Sequence, residues 1–262
     1  TMIDYDKYMK RDVIKVDEER LSKIKEIPFH KHLYYKNINR IVTAPELEPM
    51  IGYKRYEDGS GISAAYTRMD GVTIAMLNWW NIWSMLDPKR YQLLFPNKEL
   101  DISSISKKDE KRFLDKKLPS FEKLWESELH IKEKSKIPKW ITKLFGIVGD
   151  DLGDVSYGFK RPIEIGIDES LFEHQDLKCF VGAVSYNTLF DFPITIMHYL
   201  IEDEDGVDVH SRFWLGVRFN GKRFAREGKK KIPTSLLRNT VKQCLEEYTS
   251  LSGILKELYE QK

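Results

Sequence analysis

Cysteine is scarce. Cys179 and Cys244 are the two present in 262 residues, too few for a disulfide framework and without the paired spacing of a thiolate metal site. A reducing cytoplasm is the expected compartment. Long apolar runs are missing as well, and the opening residues, with Asp4, Asp6, Lys7, Lys10 and Arg11, lack the apolar stretch of a signal peptide. No membrane partner is expected. Nor does one sign of charge dominate: 43 basic residues face 41 acidic ones, and a net charge of +2 sets up no broad basic field for nucleic acid. The local run Lys229 to Lys231, near Lys222, Arg223 and Arg226, reads as a solvated loop.

What remains is ordinary globular material with a strong aromatic share, 12% of residues, and 32% charged residues of mixed sign. This length can bury a full core. The expected organisation is an N-terminal arm over 1–45 and one main domain over 46–262. Val13, Val16, Leu21, Ile24 and Ile27 give residues 12–27 helical character before Pro28 interrupts it. Asp58-Gly59 and Asp70-Gly71 mark turns in a meander of short strands between Ile51 and Met76. The Lys- and Glu-rich stretch from Ser103 to Lys143 reads as helices covering an opening.

Strand character is densest between Val155 and Phe219. With a turn over Asp203 to Gly206, a hairpin register sets His198 across from Ser211, on the face of Ile194, Ile196 and Leu200 and pointing inward. From Thr234 to about Tyr259, Leu237, Val241, Cys244, Tyr248, Leu251, Leu255 and Leu258 recur at spacings of four and three, which predicts one helix of about seven turns. Gln243 and Glu247 fall to one side of that apolar stripe, between Leu236 and Ile254. A carboxylate at a core margin needs a partner: a metal, an arginine or hydrogen-bond donors. An edge-exposed Glu paired with a nearby base satisfies the same need.

Several segments, in order, resemble the diacetylphloroglucinol and phloretin hydrolase family. They are Gly71-Val72-Thr73 with Asn78 to Trp83; Arg90-Tyr91 with Pro96 and Glu99; His198-Tyr199, Gly206 and Ser211 to Gly216; and Gln243 to Tyr248 with Leu258-Tyr259. The resemblance implies an α+β helix-grip fold, a curved antiparallel sheet around a long C-terminal helix. It also implies a cavity where zinc, held by two His and two Glu, assists hydrolysis of the carbon–carbon bond joining an aromatic ring to an acyl group. Carried over by position, the metal ligands become Glu99, Asp150, Gln243 and Glu247, and the groups that hold substrate hydroxyls or move protons become Tyr91 and His198. Both family histidine ligands are thus replaced, by Glu99 and Gln243, and Ser84 replaces a third His that often follows the paired tryptophans.

An oxygen-only donor set suits Mg²⁺, Mn²⁺ or Ca²⁺ better than zinc, and a site with no metal is the other outcome. The expected partner is a small aromatic ketone or phenolic ligand, and a homodimer is compatible with the sequence. Three functions follow: a metal-assisted hydrolase, a non-catalytic binder of small molecules that has lost the zinc site, and an interaction protein working through the charged middle segment. No Gly-x-Ser-x-Gly elbow occurs, which leaves water as the best nucleophile.

Overall fold

The computed structural model describes residues 3–28, 34–43, 50–96, 100–103, 105–133, 154–172, 176–187 and 191–262. Among them, nine strands form one sheet: β1 (Lys25–Glu26), β2 (Gly52–Arg55), β3 (Gly61–Asp70), β4 (Leu100–Ile102), β5 (Glu128–Glu133), β6 (Asp154–Lys160), β7 (Phe180–Asn187), β8 (Phe192–Glu202) and β9 (Gly206–Leu215). Their order across the sheet is β1-β2-β3-β9-β8-β7-β6-β5-β4, antiparallel except for the β1–β2 pair. The architecture is mixed α+β, a large curved sheet with helices.

The β8–β9 hairpin has the register read from sequence, with His198 opposite Ser211. Alternation then puts Ile194, Ile196, His198 and Leu200 on one face with Val209, Phe213 and Leu215. The Asp203 carboxylate accepts from the amides of Asp205 and Gly206, and Arg68 on β3 binds Asp203, Asp208 and Asp70 around the turn. At Asp58-Gly59 the turn is as expected, with Gly59 at φ +83° and Asp58 accepting from the Ser60 amide. The second turn, with Gly71 at φ +68°, feeds a helix rather than a further strand: Thr73 accepts from the Met76 amide and starts Ile74–Trp83.

The inner face of the sheet packs on the helix Thr234–Ser252, through Leu236 and Leu237 against Ile194, Ile196 and Leu215, and through Val241, Cys244 and Leu245 against Ala65. The Ser63 hydroxyl donates to the Leu237 carbonyl at 2.8 Å and pins helix to sheet. The single seven-turn helix of the sequence reading is corrected here. It ends at Ser252, Ile254 leaves helical geometry (φ −131°, ψ −20°), and a second helix runs Leu255–Glu260. Gly253 marks the break, where a Cβ would meet Ile14 at 2.6 Å. The helical reading of residues 12–27 shrinks to Glu18–Ser22, because Lys25 and Glu26 pair with β2 instead. Tyr8, Val16 and Ile24 of the N-terminal residues are nevertheless buried, Val16 and Ile24 beside Val241 and Cys244. The middle stretch holds the helices Lys107–Leu114 and Ser120–Leu124 and also strand β5.

On the outer face, Ile62, Met197 and Trp214 are covered by Ile165, Ile167, Phe172 and Phe180. Arg212 lies on that face, 1% exposed, with its guanidinium on the Ser211 carbonyl at 2.8 Å and its Nε without a partner. Burial pushes this guanidinium down to about 10, which marks an uncompensated cost. Arg212→Met is therefore expected to raise the free energy of unfolding by about 1–3 kcal/mol in a urea titration. A loss of that size instead would show that the arginine's contacts with the Ser211 and Ala65 carbonyls outweigh its desolvation.

Candidate active site

Two helices and four strands bring side chains to the space between the inner face and the helix Thr234–Ser252. From the helix, Gln243 and Glu247 stand one turn apart and line a cavity of about 490 Å³, its mouth included, together with Thr240 and Cys244. From the sheet come Tyr157, Ser185, Ile194, Ile196 and Phe213. The wall is mostly apolar with a few polar groups, the composition usual for small-molecule sites.

Tyr91 arrives from the short helix Pro88–Gln92, which Asp87 caps by accepting from the Lys89 amide. Its neighbour Arg90 lies over the Trp83 ring at 4.7 Å, donates to the Trp83 carbonyl at 3.1 Å and to the Tyr5 hydroxyl at 3.0 Å. The Arg-Tyr pair thus divides its labour. Arg90 clamps the turn onto the tryptophan helix, and Tyr91 is directed inward to hydrogen-bond with Glu247. Burial, with the Glu247 carboxylate beside it, holds the Tyr91 phenol well above its usual range. The same causes raise Tyr157, and burial with nearby Cys244 and Glu247 raises Tyr248. Three protonated phenols therefore surround one carboxylate.

His198 points to the same side. Its ring meets Tyr248 edge-on at 5.4 Å and Phe213 at 5.7 Å, and its Nδ1 lies 2.8 Å from the Ser211 hydroxyl. Burial pushes the imidazole down to about 4, so it is neutral at physiological pH. Tyr91, Tyr157, His198 and Tyr248 all sit deep in the protein yet keep accessible surface, as groups facing a void do.

Of the residues singled out from sequence, the structure brings Tyr91, His198, Gln243 and Glu247 to this one region. Glu99 and Asp150 lie outside the described residues. Among the described residues no three His, Cys, Asp or Glu side chains gather as a metal site, and Gln243 and Glu247 contribute two oxygen donors. Tyr157 and Cys244 were missed as site residues. Tyr157 reads in sequence as one more aromatic on a strand, and its place depends on β6 lying beside β7, an ordering no local pattern specifies. Cys244 belongs to the apolar helix stripe. Its partner Ser211 was legible through the hairpin register, since it stands opposite His198.

A cavity between sheet and helix, lined by the Glu247 carboxylate, the Tyr157 and Tyr186 phenols and a mostly apolar wall, with Tyr91, Tyr248 and His198 packed beside it, is the candidate site of this α+β protein. The chain belongs to the family of the DAPG hydrolase PhiG domain, whose model matches residues 33–260. It is similar to phloretin hydrolase of Eubacterium ramulus, 25% identical over 265 residues, covering 98% of this chain and 89% of that protein. It is also similar to 2,4-diacetylphloroglucinol hydrolase of Pseudomonas protegens, 24% identical over 191 residues, 72% of this chain and 57% of that protein's length. Among solved structures, that of Ara h 8.0201 aligns with a TM-score of 0.42 at 10% identity, over 75% of this chain and 97% of that one. No helix among the described residues is long and apolar enough to cross a membrane.

Proposed function

We propose that this protein is a hydrolase with a helix-grip cavity that cleaves the carbon–carbon bond between an aromatic ring and its acyl group, on an acylphloroglucinol or a phloretin-like ketone. The observation that carries the reading is the meeting of Glu247 with the Tyr91, Tyr157 and Tyr248 phenols, with His198 alongside, at the edge of a cavity whose wall is mostly apolar. Family membership and the names of the two relatives support it.

Hydrolysis adds the hydroxyl of water to the acyl carbon and a proton to the ring carbon, and the electron pair of the broken bond stays with the ring. The apolar wall of Ile194, Ile196 and Phe213 stacks on the ring and excludes bulk water. Tyr91, a phenol that keeps its proton, holds a substrate oxygen or delivers a proton to the departing ring carbon. His198, neutral and deep, holds a second substrate oxygen. Gln243 and Glu247 could hold a divalent cation with Glu99 and Asp150, and oxygen donors of this kind favour Mg²⁺, Mn²⁺ or Ca²⁺ over zinc. Such an ion, when bound, would polarise the acyl oxygen and acidify an attacking water.

Protein purified without chelator and supplied in turn with Mg²⁺, Mn²⁺ and Zn²⁺ is expected to release one carboxylic acid and one deacylated ring per molecule of acylphloroglucinol or phloretin. No product with any substrate or ion, while a phenolic ketone still quenches the tryptophan fluorescence, would replace the hydrolase by a binding protein.

A further inference from the structure

Ser211 reaches His198 from the opposite strand and also touches the helix. The two residues are direct cross-strand partners, and their contact is 2.8 Å between Oγ and Nδ1. On its other side Ser211 hydrogen-bonds Cys244. We propose that Ser211 is a positioning residue: its hydroxyl donates to Nδ1 of His198 and holds the neutral ring with its proton on Nε2, as a hydrogen-bond donor toward the cavity. The inference rests on the reading of His198 as a residue that contacts substrate.

The direction of the hydrogen-bond chain follows from its members. A serine hydroxyl has one proton to give and two lone pairs. Toward Cys244 it would be giving that proton to a thiol sulfur, a weak acceptor; toward His198 it gives it to an imidazole nitrogen, a good one. The serine oxygen keeps two lone pairs when it donates to His198, and one of them is free to accept from the Cys244 thiol. The favoured order is therefore Cys244 S–H to Ser211 Oγ, and Ser211 O–H to His198 Nδ1. Burial keeps the imidazole neutral at pH 7, so one ring nitrogen is an acceptor and the other a donor. Tyr248 and Phe213 pack edge-on against the ring and restrict its swing, so Nε2 is the nitrogen left for the cavity. In this state His198 donates to a substrate oxygen and does not act as a base. Proton movement then falls to the Glu247 and Tyr91 side of the site.

The test is nitrogen NMR of the full chain labelled with ¹⁵N-histidine, at pH 7, with His198 identified among the six histidines by the signals lost in His198→Gln. The parent is expected to show an unprotonated Nδ1 and a protonated Nε2 at this residue. Ser211→Ala should shift the tautomer ratio toward Nδ1–H several-fold, and Ser211→Thr, which keeps the hydroxyl, should restore the parent pattern. Turnover should follow the same order, with kcat about tenfold lower in Ser211→Ala and recovered in Ser211→Thr. A parent protonated at Nδ1, or a ratio unmoved in a folded Ser211→Ala, overturns the proposal. The tautomer is read without turnover. Protein with the expected tautomer and no cleavage therefore refutes the hydrolase reading alone.

Discussion

Glu247→Gln is expected to lower kcat/KM for an acylphloroglucinol by about 100-fold or more while leaving the free energy of unfolding within about 1 kcal/mol of the parent. The substitution keeps the shape, the helix propensity and an acceptor for the Tyr91 hydroxyl, and removes only the negative charge. A structural carboxylate would show the opposite pattern. If Glu247 merely tied Tyr91 to the helix, turnover would survive and any loss would appear in stability. Steady-state kinetics and urea titration of the same preparation separate the two outcomes. Undiminished cleavage in the folded variant would remove Glu247 from the chemistry.

Acid should destabilise the fold sharply between about pH 6.5 and pH 4. Two histidines, His198 and His210, are pushed down to about 4, each with burial as the largest cause; for His210 the Arg212 charge adds to it and Asp208 opposes it. Above pH 6.5 both are neutral whether the chain is folded or not, and contribute no pH dependence. As pH falls through 6.5 the unfolded chain takes up protons that the folded protein refuses, so stability drops with every step toward pH 4 and then levels. At 1.36 kcal/mol per unit the loss approaches roughly 3 kcal/mol for each histidine, less for His198, which keeps accessible surface. The sum is a large part of a typical domain's stability. His210→Phe, which keeps a ring beside Tyr66, should remove roughly half of this acid sensitivity; an unchanged pH profile would mean that His210 is protonated in the folded state.

Much of the site could be read from sequence where the pattern was local. The hairpin was set by the Asp203 to Gly206 turn and by a partial alternation on either side of it, from which the facing of His198 and Ser211 followed. The C-terminal helix announced itself by spacing, and Gln243 and Glu247 stood at the margin of its stripe because the cavity is there. What failed depended on distant partners. Residues 12–27 carry a helical pattern, yet Lys25 and Glu26 extend because β2 offers them a backbone to pair with, and tertiary pairing overrides propensity. The periodicity also ran on past Gly253, because Leu255 and Leu258 remain on an apolar face after the axis has broken. Tyr157 became a site residue only through strand order, which sequence spacing does not encode.

The pairing of β3 with β9 sets the order in which this chain can fold. The Tyr66 to Asp208 hydrogen bond that ties those strands closes 142 residues, and the Ser63 to Leu237 bond closes 174, whereas His198 and Ser211 are separated by 13. Loop closure of that length costs entropy before any contact rewards it. The hairpin carrying His198 is therefore poised to form early, while the meeting of Tyr91 with Glu247 waits for the helix Thr234–Ser252. On a ribosome the cavity can close only after the helix Thr234–Ser252 emerges, and until then the apolar inner face of β8 and β9 is exposed to aggregation or to chaperones.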